Sequence, residues 1–138
     1  MYAVNKGINA YKKDSLKSDL ASADPHRIIQ LLMQGALERL AFSKGMIERK
    51  DFEGKSVTLT RVVEIINALR DALDRDVNPE LVDNLDGLYE YMIVQVHEAS
   101  SEMNTDKVDL VIRLLLEIKG AWDQISESAK LEAASSHS

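Results

Sequence analysis

Apolar side chains recur along this chain at alternating spacings of three and four, the period of one face of an α-helix. The first run is Ile29, Met33, Ala36, Leu40, Ser43 and Ile47. Asp24 precedes it with a capping oxygen, and Pro25 stands at the first helical position, where a missing N–H costs nothing. This helix is expected to end around Arg49–Asp51. A second run, Leu59, Val62, Ile66, Leu69 and Leu73, follows a turn expected at Glu53-Gly54 and stops near Asp74–Asp76. Asn78-Pro79 opens a third, with Leu81, Leu85, Leu88, Met92, Val96, Ala99 and Met103 as its stripe. After a turn at Asn104-Thr105-Asp106 comes the fourth: Val108, Val111, Leu115, Ile118, Trp122 and Ile125. From Ser126 to Ser138 the chain is polar and is expected to fray.

Four helices joined by short loops imply antiparallel neighbours. The expected fold is therefore all-α, an up-down-up-down four-helix bundle over residues 25–130. A leader, residues 1–24, precedes it, and residues 131–138 form a flexible tail. In the leader Ile8 and Tyr11 are conspicuous among polar residues, and a tyrosine so placed is expected to dock, so the leader is read as a short segment or helix packed on the bundle.

Composition narrows the function. The 138 residues include six Gly, two Pro and no Cys, with a net charge of −6. Few turn formers fit a helical fold, and the absence of Cys excludes disulfides and thiolate metal sites. No apolar stretch approaches the ~18 residues of a membrane span, and no secretory leader is present, so a soluble, cytoplasmic protein is expected. No basic cluster suits nucleic acid. None of His26, His97 and His137 has the Glu three residues earlier that inward-facing metal pairs use, and the glycines form no phosphate loop. The apolar stripes carry almost no ionisable residue. Neither a cofactor nor an enzyme is expected.

Three features exceed what a plain bundle needs. Gly35, Gly45, Gly87 and Gly120 fall inside expected helices, where glycine costs ~1 kcal/mol relative to Ala. They mark either close helix packing or a groove that another backbone enters. Ile28, Leu31 and Phe42 lie beside the first stripe, while Leu110, Ile112, Leu114 and Leu116 flank the fourth; they are either core or binding surface. Tyr89 and Tyr91, two residues apart, cannot both face the core, so at least one is a rim contact residue.

Taken in order, these strings resemble the flagellar secretion chaperone (FliS) family over nearly the whole chain, about Tyr2 to Ile125. Gly7-Ile8-Asn9-Ala10-Tyr11 is similar to the family's G-I-x-A-Y. Residues 23–36, Ala23-Asp24-Pro25 through Gly35-Ala36, resemble its A-S-P-x-x-L-I-x-M-L-[YF]-D-G-A. Ile65-Ile66, Leu69 and Leu73-Asp74 match I-I-x-x-L-x-x-x-L-D. Asn84-Leu85, Leu88-Tyr89 and Tyr91-Met92 match N-L-x-x-L-Y-x-Y-M, and Ala121-Trp122 its closing A-W. Two departures stand out: Met33-Gln34 replaces the family's aromatic-Asp pair, and Asn78-Pro79-Glu80 replaces G-G-E.

The resemblance implies a cytoplasmic export chaperone that holds the disordered C-terminal segment of flagellin. It would prevent premature polymerisation and present the subunit to the flagellar type III export apparatus. In the family the client wraps around the bundle, and the leader can occupy part of the groove when the client is absent. The expected client-contact residues are Ile8, Tyr11, Ile28, Leu31, Leu32, Gly35 and Tyr89. Further partners could include the export gate and other flagellar regulators. The alternative is a self-associating structural bundle, or adaptor, without a dedicated client.

Overall fold

Each helix begins where a short polar side chain accepts a backbone N–H that has no helical partner. The computed structural model describes residues 24–136, with side chains described through residue 125. Helix α1 is Pro25–Glu48, α2 Phe52–Asp71, α3 Pro79–Glu102 and α4 Thr105–Ser136. The Arg27 N–H donates to Asp24 Oδ1 at 2.8 Å, that of Gly54 to Asp51 Oδ1 at 2.9 Å, and that of Leu81 to Asn78 Oδ1 at 3.3 Å. Asn104 Oδ1 accepts from Asp106 at 2.9 Å and Lys107 at 3.4 Å.

Two of these caps also close the preceding helix. The Asp51 N–H donates to the Met46 carbonyl at 2.8 Å, and that of Asn104 to the Ala99 carbonyl at 3.0 Å. Both closures pass through a left-handed residue, Lys50 at φ 59° and Met103 at φ 53°. This is the six-residue helix termination that usually places glycine at the left-handed position. One residue thus ends a helix and starts the next, so α1–α2 and α3–α4 are tight antiparallel hairpins.

The hairpins pack so that α1 and α3 each contact both α2 and α4. Met33, Ala36 and Leu40 of α1 meet Leu59, Val62 and Ile66 of α2 in one core. Met92, Val96 and Ala99 of α3 and Val108, Val111 and Leu115 of α4 complete it. The expected four-helix bundle is the observed one, and no strand occurs among the described residues. Ser43, the buried polar residue of the core, donates its hydroxyl to the Leu40 carbonyl at 2.7 Å.

Several details differ from the sequence expectation. The Glu53-Gly54 turn is instead the first turn of α2, because Asp51 supplies the cap. Gly54 is thus a fifth helical glycine, and a Cβ there would overlap the Asp51 carboxylate that receives its N–H. In the first half of α3 the buried stripe is shifted by one: Val82 and Tyr89 are buried, and Leu81 is exposed. Adjacent apolar residues at 81–82 and 88–89 left two registers open to the spacing. On α4, Ile125 is exposed and the helical backbone continues to Ser136 through an Ala-, Glu- and Leu-containing run that favours helix. The leader, with Ile8 and Tyr11, lies outside the described residues.

The left-handed Lys50 gives a direct check, because its side chain is exposed and glycine carries no Cβ penalty there. Lys50→Gly is expected to raise unfolding stability by roughly 0.5–1 kcal/mol, read as an increased urea midpoint at unchanged slope. A lower midpoint would show that Lys50 makes a contact that outweighs the backbone strain.

Candidate functional site

The four seams between neighbouring helices differ in what ties them on the outside. The α1–α4 seam is polar along its length. Lys44 Nζ meets Asp109 Oδ1 at 2.8 Å, and Gln30 Nε2 donates to Asp123 Oδ1 at 2.6 Å. At its end the His26 and Trp122 rings stack, with centroids 4.7 Å apart and planes 14° from parallel. The Trp122 indole N–H donates to the His26 carbonyl at 3.1 Å, and His26 Nε2 lies 2.7 Å from the Trp122 carbonyl, a contact that places a proton on Nε2. The Lys119 ammonium at 2.9 Å, with Gln30, holds the Asp123 carboxyl below the usual carboxylate range.

The α2–α3 seam is joined by Arg70, whose guanidinium makes two bonds to the Asp86 carboxylate, at 2.8 and 3.3 Å. That pairing lowers the Asp86 pKa and raises that of Arg70. At the other end Lys55 Nζ donates to the Ser100 carbonyl at 2.7 Å and to its hydroxyl at 3.0 Å. Across α3–α4, Lys107 bridges Glu102 at 2.8 Å and Glu98 at 2.6 Å, and both carboxylates raise its pKa.

The α1–α2 seam is different. Among the described residues its one side-chain hydrogen bond runs from the Thr58 hydroxyl to the Met46 thioether at 3.3 Å. Beside it lies a second stripe on α1, Ile28, Leu31, Gly35, Glu38 and Phe42, again at spacings of three and four. At about 100° per residue, Ile28, Gly35 and Phe42 sit one position before Ile29, Ala36 and Ser43, and Leu31 and Glu38 two positions before Met33 and Leu40, so the centre of this stripe is turned about 140° from that of the core stripe. Ile28 and Leu31 are half-buried, and Phe42 is 68% exposed. A Cβ added to Gly35 would lie 3.7 Å from Ile65 Cδ1 of α2 and 3.2 Å from Arg39 Nη1. Arg39 folds back over this position, donating to the Gly35 carbonyl at 3.1 Å. At Gly35 the edge therefore presents a backbone carbonyl beneath the Arg39 guanidinium.

Of the residues expected to touch a client, the structure brings Ile28, Leu31 and Gly35 onto one face. Leu32 instead packs against the core. Tyr89 is 3% exposed, and burial pushes its hydroxyl up to about 12, so it is a core residue; Tyr91, 46% exposed, is the rim tyrosine. Ile8 and Tyr11 lie outside the described residues. Phe42 is the aromatic most open on this edge, and its position beside the core stripe was the available signal. Met33, at the family's aromatic position, is core, while Gln34 is exposed and bonds Glu38 at 3.2 Å. The glycines divide: Gly35 faces a neighbouring helix, whereas a Cβ on Gly87 or Gly120 would meet nothing within 4 Å. Close packing does not account for those two.

Among the described residues no group of three His, Cys, Asp or Glu could hold a metal ion. No helix among the described residues is long and apolar enough to cross a membrane.

The profile of the family described as flagellar protein FliS matches residues 7–129. The chain belongs to the FliS family. It is 46% identical over 126 residues to the flagellar secretion chaperone FliSB of Pseudomonas aeruginosa, covering 91% of this chain and 99% of the relative. Identity to the flagellar secretion chaperone FliS of Vibrio cholerae is 39% over 118 residues, covering 86% of this chain and 87% of the other. For that of Salmonella typhimurium it is 35% over 133 residues, covering 96% and 98%. The FliS family is not an enzyme family.

Burial of Tyr89 sets a pH dependence. Its pKa is raised on folding, so its contribution to stability is complete below pH 10 and is lost as pH rises toward about 12. Tyr89→Phe is expected to reduce the alkaline loss of stability in that window, measured by denaturant midpoints at pH 9 and 11.5. An unchanged alkaline slope would mean that the hydroxyl is solvated.

Proposed function

We propose that this chain is a flagellar secretion chaperone that binds the disordered C-terminal segment of flagellin in the cytoplasm. It keeps that segment from polymerising and delivers the subunit to the flagellar type III export apparatus. Family membership supports the chaperone role. The α1–α2 edge supports the mode of binding: it is the seam without charged ties, and it carries Ile28, Leu31, Gly35 and an exposed Phe42 in register.

A disordered client loses conformational entropy when it is held, so it needs a long apolar contact in return. Exposed apolar side chains at three-four spacing suit an amphipathic helix laid in a groove. In this reading Arg39 moves off the Gly35 carbonyl as the client enters. Because the core stripe lies about 140° away, the edge is used without opening the bundle. Binding of this kind consumes no nucleotide.

Calorimetric titration with the flagellin C-terminal segment is expected to give a one-to-one complex. Gly35→Leu, which fills the groove floor, and Phe42→Glu, which charges the edge, should each weaken it at least tenfold. Both variants should keep native circular dichroism, since neither residue belongs to the core. Wild-type affinity in both folded variants would move the client off this edge. A chain that dimerises and ignores the segment would point instead to the self-associating bundle.

A further inference from the structure

The opposite side of α2 carries a second feature that flagellin binding at the α1–α2 edge does not use. A cavity of about 150 Å³ opens between α2 and α3. Leu59, Val63 and Val96 form its apolar wall, and Ser56, Thr60 and His97 its polar rim. Four of its seven lining residues are polar, so it suits the end of one side chain that meets apolar atoms on one wall and polar atoms at the rim. Its far wall is fixed, because the Lys55 ammonium ties the Ser100 carbonyl and hydroxyl.

The ridges on either side of this groove are regular. On α2 the outward row is Val57, Thr60, Glu64, Asn67 and Asp71; on α3 it is Asp83, Gly87, Glu90, Val94 and His97. All are exposed. Val57 and Val94 place apolar surface at the cavity end, at 60% and 47% exposure. Gly87 lies on the α3 ridge with open space above it, so another backbone can come closer there than any side chain would allow.

Charge selects the occupant. The two rows contain four carboxylates, and the bases beside them, Arg61, Arg70 and Arg75, are each already paired, with Glu64, Asp86 and Asp83. Asp71 and Glu90 form no ion pair among the described residues, although both act at a distance on Arg70. A pocket with an apolar wall and a polar rim at one end, and acidic ridges beyond it, fit a basic amphipathic segment.

We propose that the α2–α3 groove is a second docking surface, which takes a basic amphipathic helix of a partner protein with one apolar side chain seated in the cavity. Its basic side chains meet Asp71 and Glu90, and its backbone passes closest over Gly87.

The test follows the backbone amides of the full chain by NMR during titration with a synthetic helical Leu/Lys peptide. A Leu/Glu peptide of the same pattern is the control. The expected shifts cluster at Ser56–Glu64 and Gly87–His97, with the Leu/Lys peptide alone. Thr60→Trp, which fills the cavity mouth from an exposed position, and the double change Asp71→Lys with Glu90→Lys should each weaken that binding at least tenfold. Neither should alter the affinity for the flagellin segment, so failure at one surface is distinguishable from failure at the other. Equal binding of both peptides, shifts centred on Ile28–Phe42, or wild-type affinity in the folded variants would overturn the proposal. So would peptide-free shifts of the same amides with protein concentration, which would make a second copy the occupant.

Discussion

The bundle depends on two residues that each serve two helices. Asp51 ends α1 with its backbone N–H and begins α2 with its carboxylate, and Asn104 does the same between α3 and α4. A turn this short leaves the next helix one direction to run, back along its predecessor. It also fixes the axial register, so the buried stripes of each hairpin face one another at matching heights. The longer connection, residues 72–78, lacks that constraint, and there Arg70 and Arg75 reach Asp86 and Asp83 to tie α2 to α3. Tight turns and side-chain ties thus do the same job at different places.

With the core shared among four helices, each has an outer arc left over, and the seams divide those arcs by chemistry. Three seams are crossed by ammonium, guanidinium, carboxylate or amide groups. Part-exposed ties of this kind add little stability each, but they occupy the surface with satisfied polar groups. The α1–α2 seam has a hydroxyl–thioether contact instead, and its outer stripe ends in the exposed ring of Phe42. A protein that holds an unfolded segment needs an apolar surface that stays separate from its own core. Here that separation is angular: the stripe through Ile28, Leu31 and Gly35 is turned by about 140° from the stripe through Ile29, Met33 and Ala36. Tyr89 and Tyr91 show the same partition on α3, where the buried ring supports the bundle and the rim ring faces outward.

Much of this was readable from the chain, and what was not has a physical cause. The core residues of α1, α2 and the first half of α4 follow from spacing alone, since each has one unbroken apolar stripe. On α3 two apolar stripes overlap at 81–82 and 88–89, and spacing cannot choose between them; contact with α2 and α4 buries Val82 and Tyr89. The expected contact residues share that fate. Ile28, Leu31 and Gly35 remain on a common surface because they lie outside the core stripe, whereas Leu32 and Tyr89 are drawn inward. The helix glycines look alike in sequence, yet Gly35 sits under Arg39 and near Ile65 while Gly87 and Gly120 face open space.

By itself, then, the sequence determined the helices and their order. Apolar period, capping residues and proline position act within a few residues, so they are written locally. The family, too, was legible in the order of its motifs. Only the tertiary structure decided which of two candidate stripes on α3 is buried, which seam lacks charged ties, and where a cavity opens beside Thr60. Those outcomes depend on which residues of distant helices meet across a seam, and no local spacing encodes that meeting.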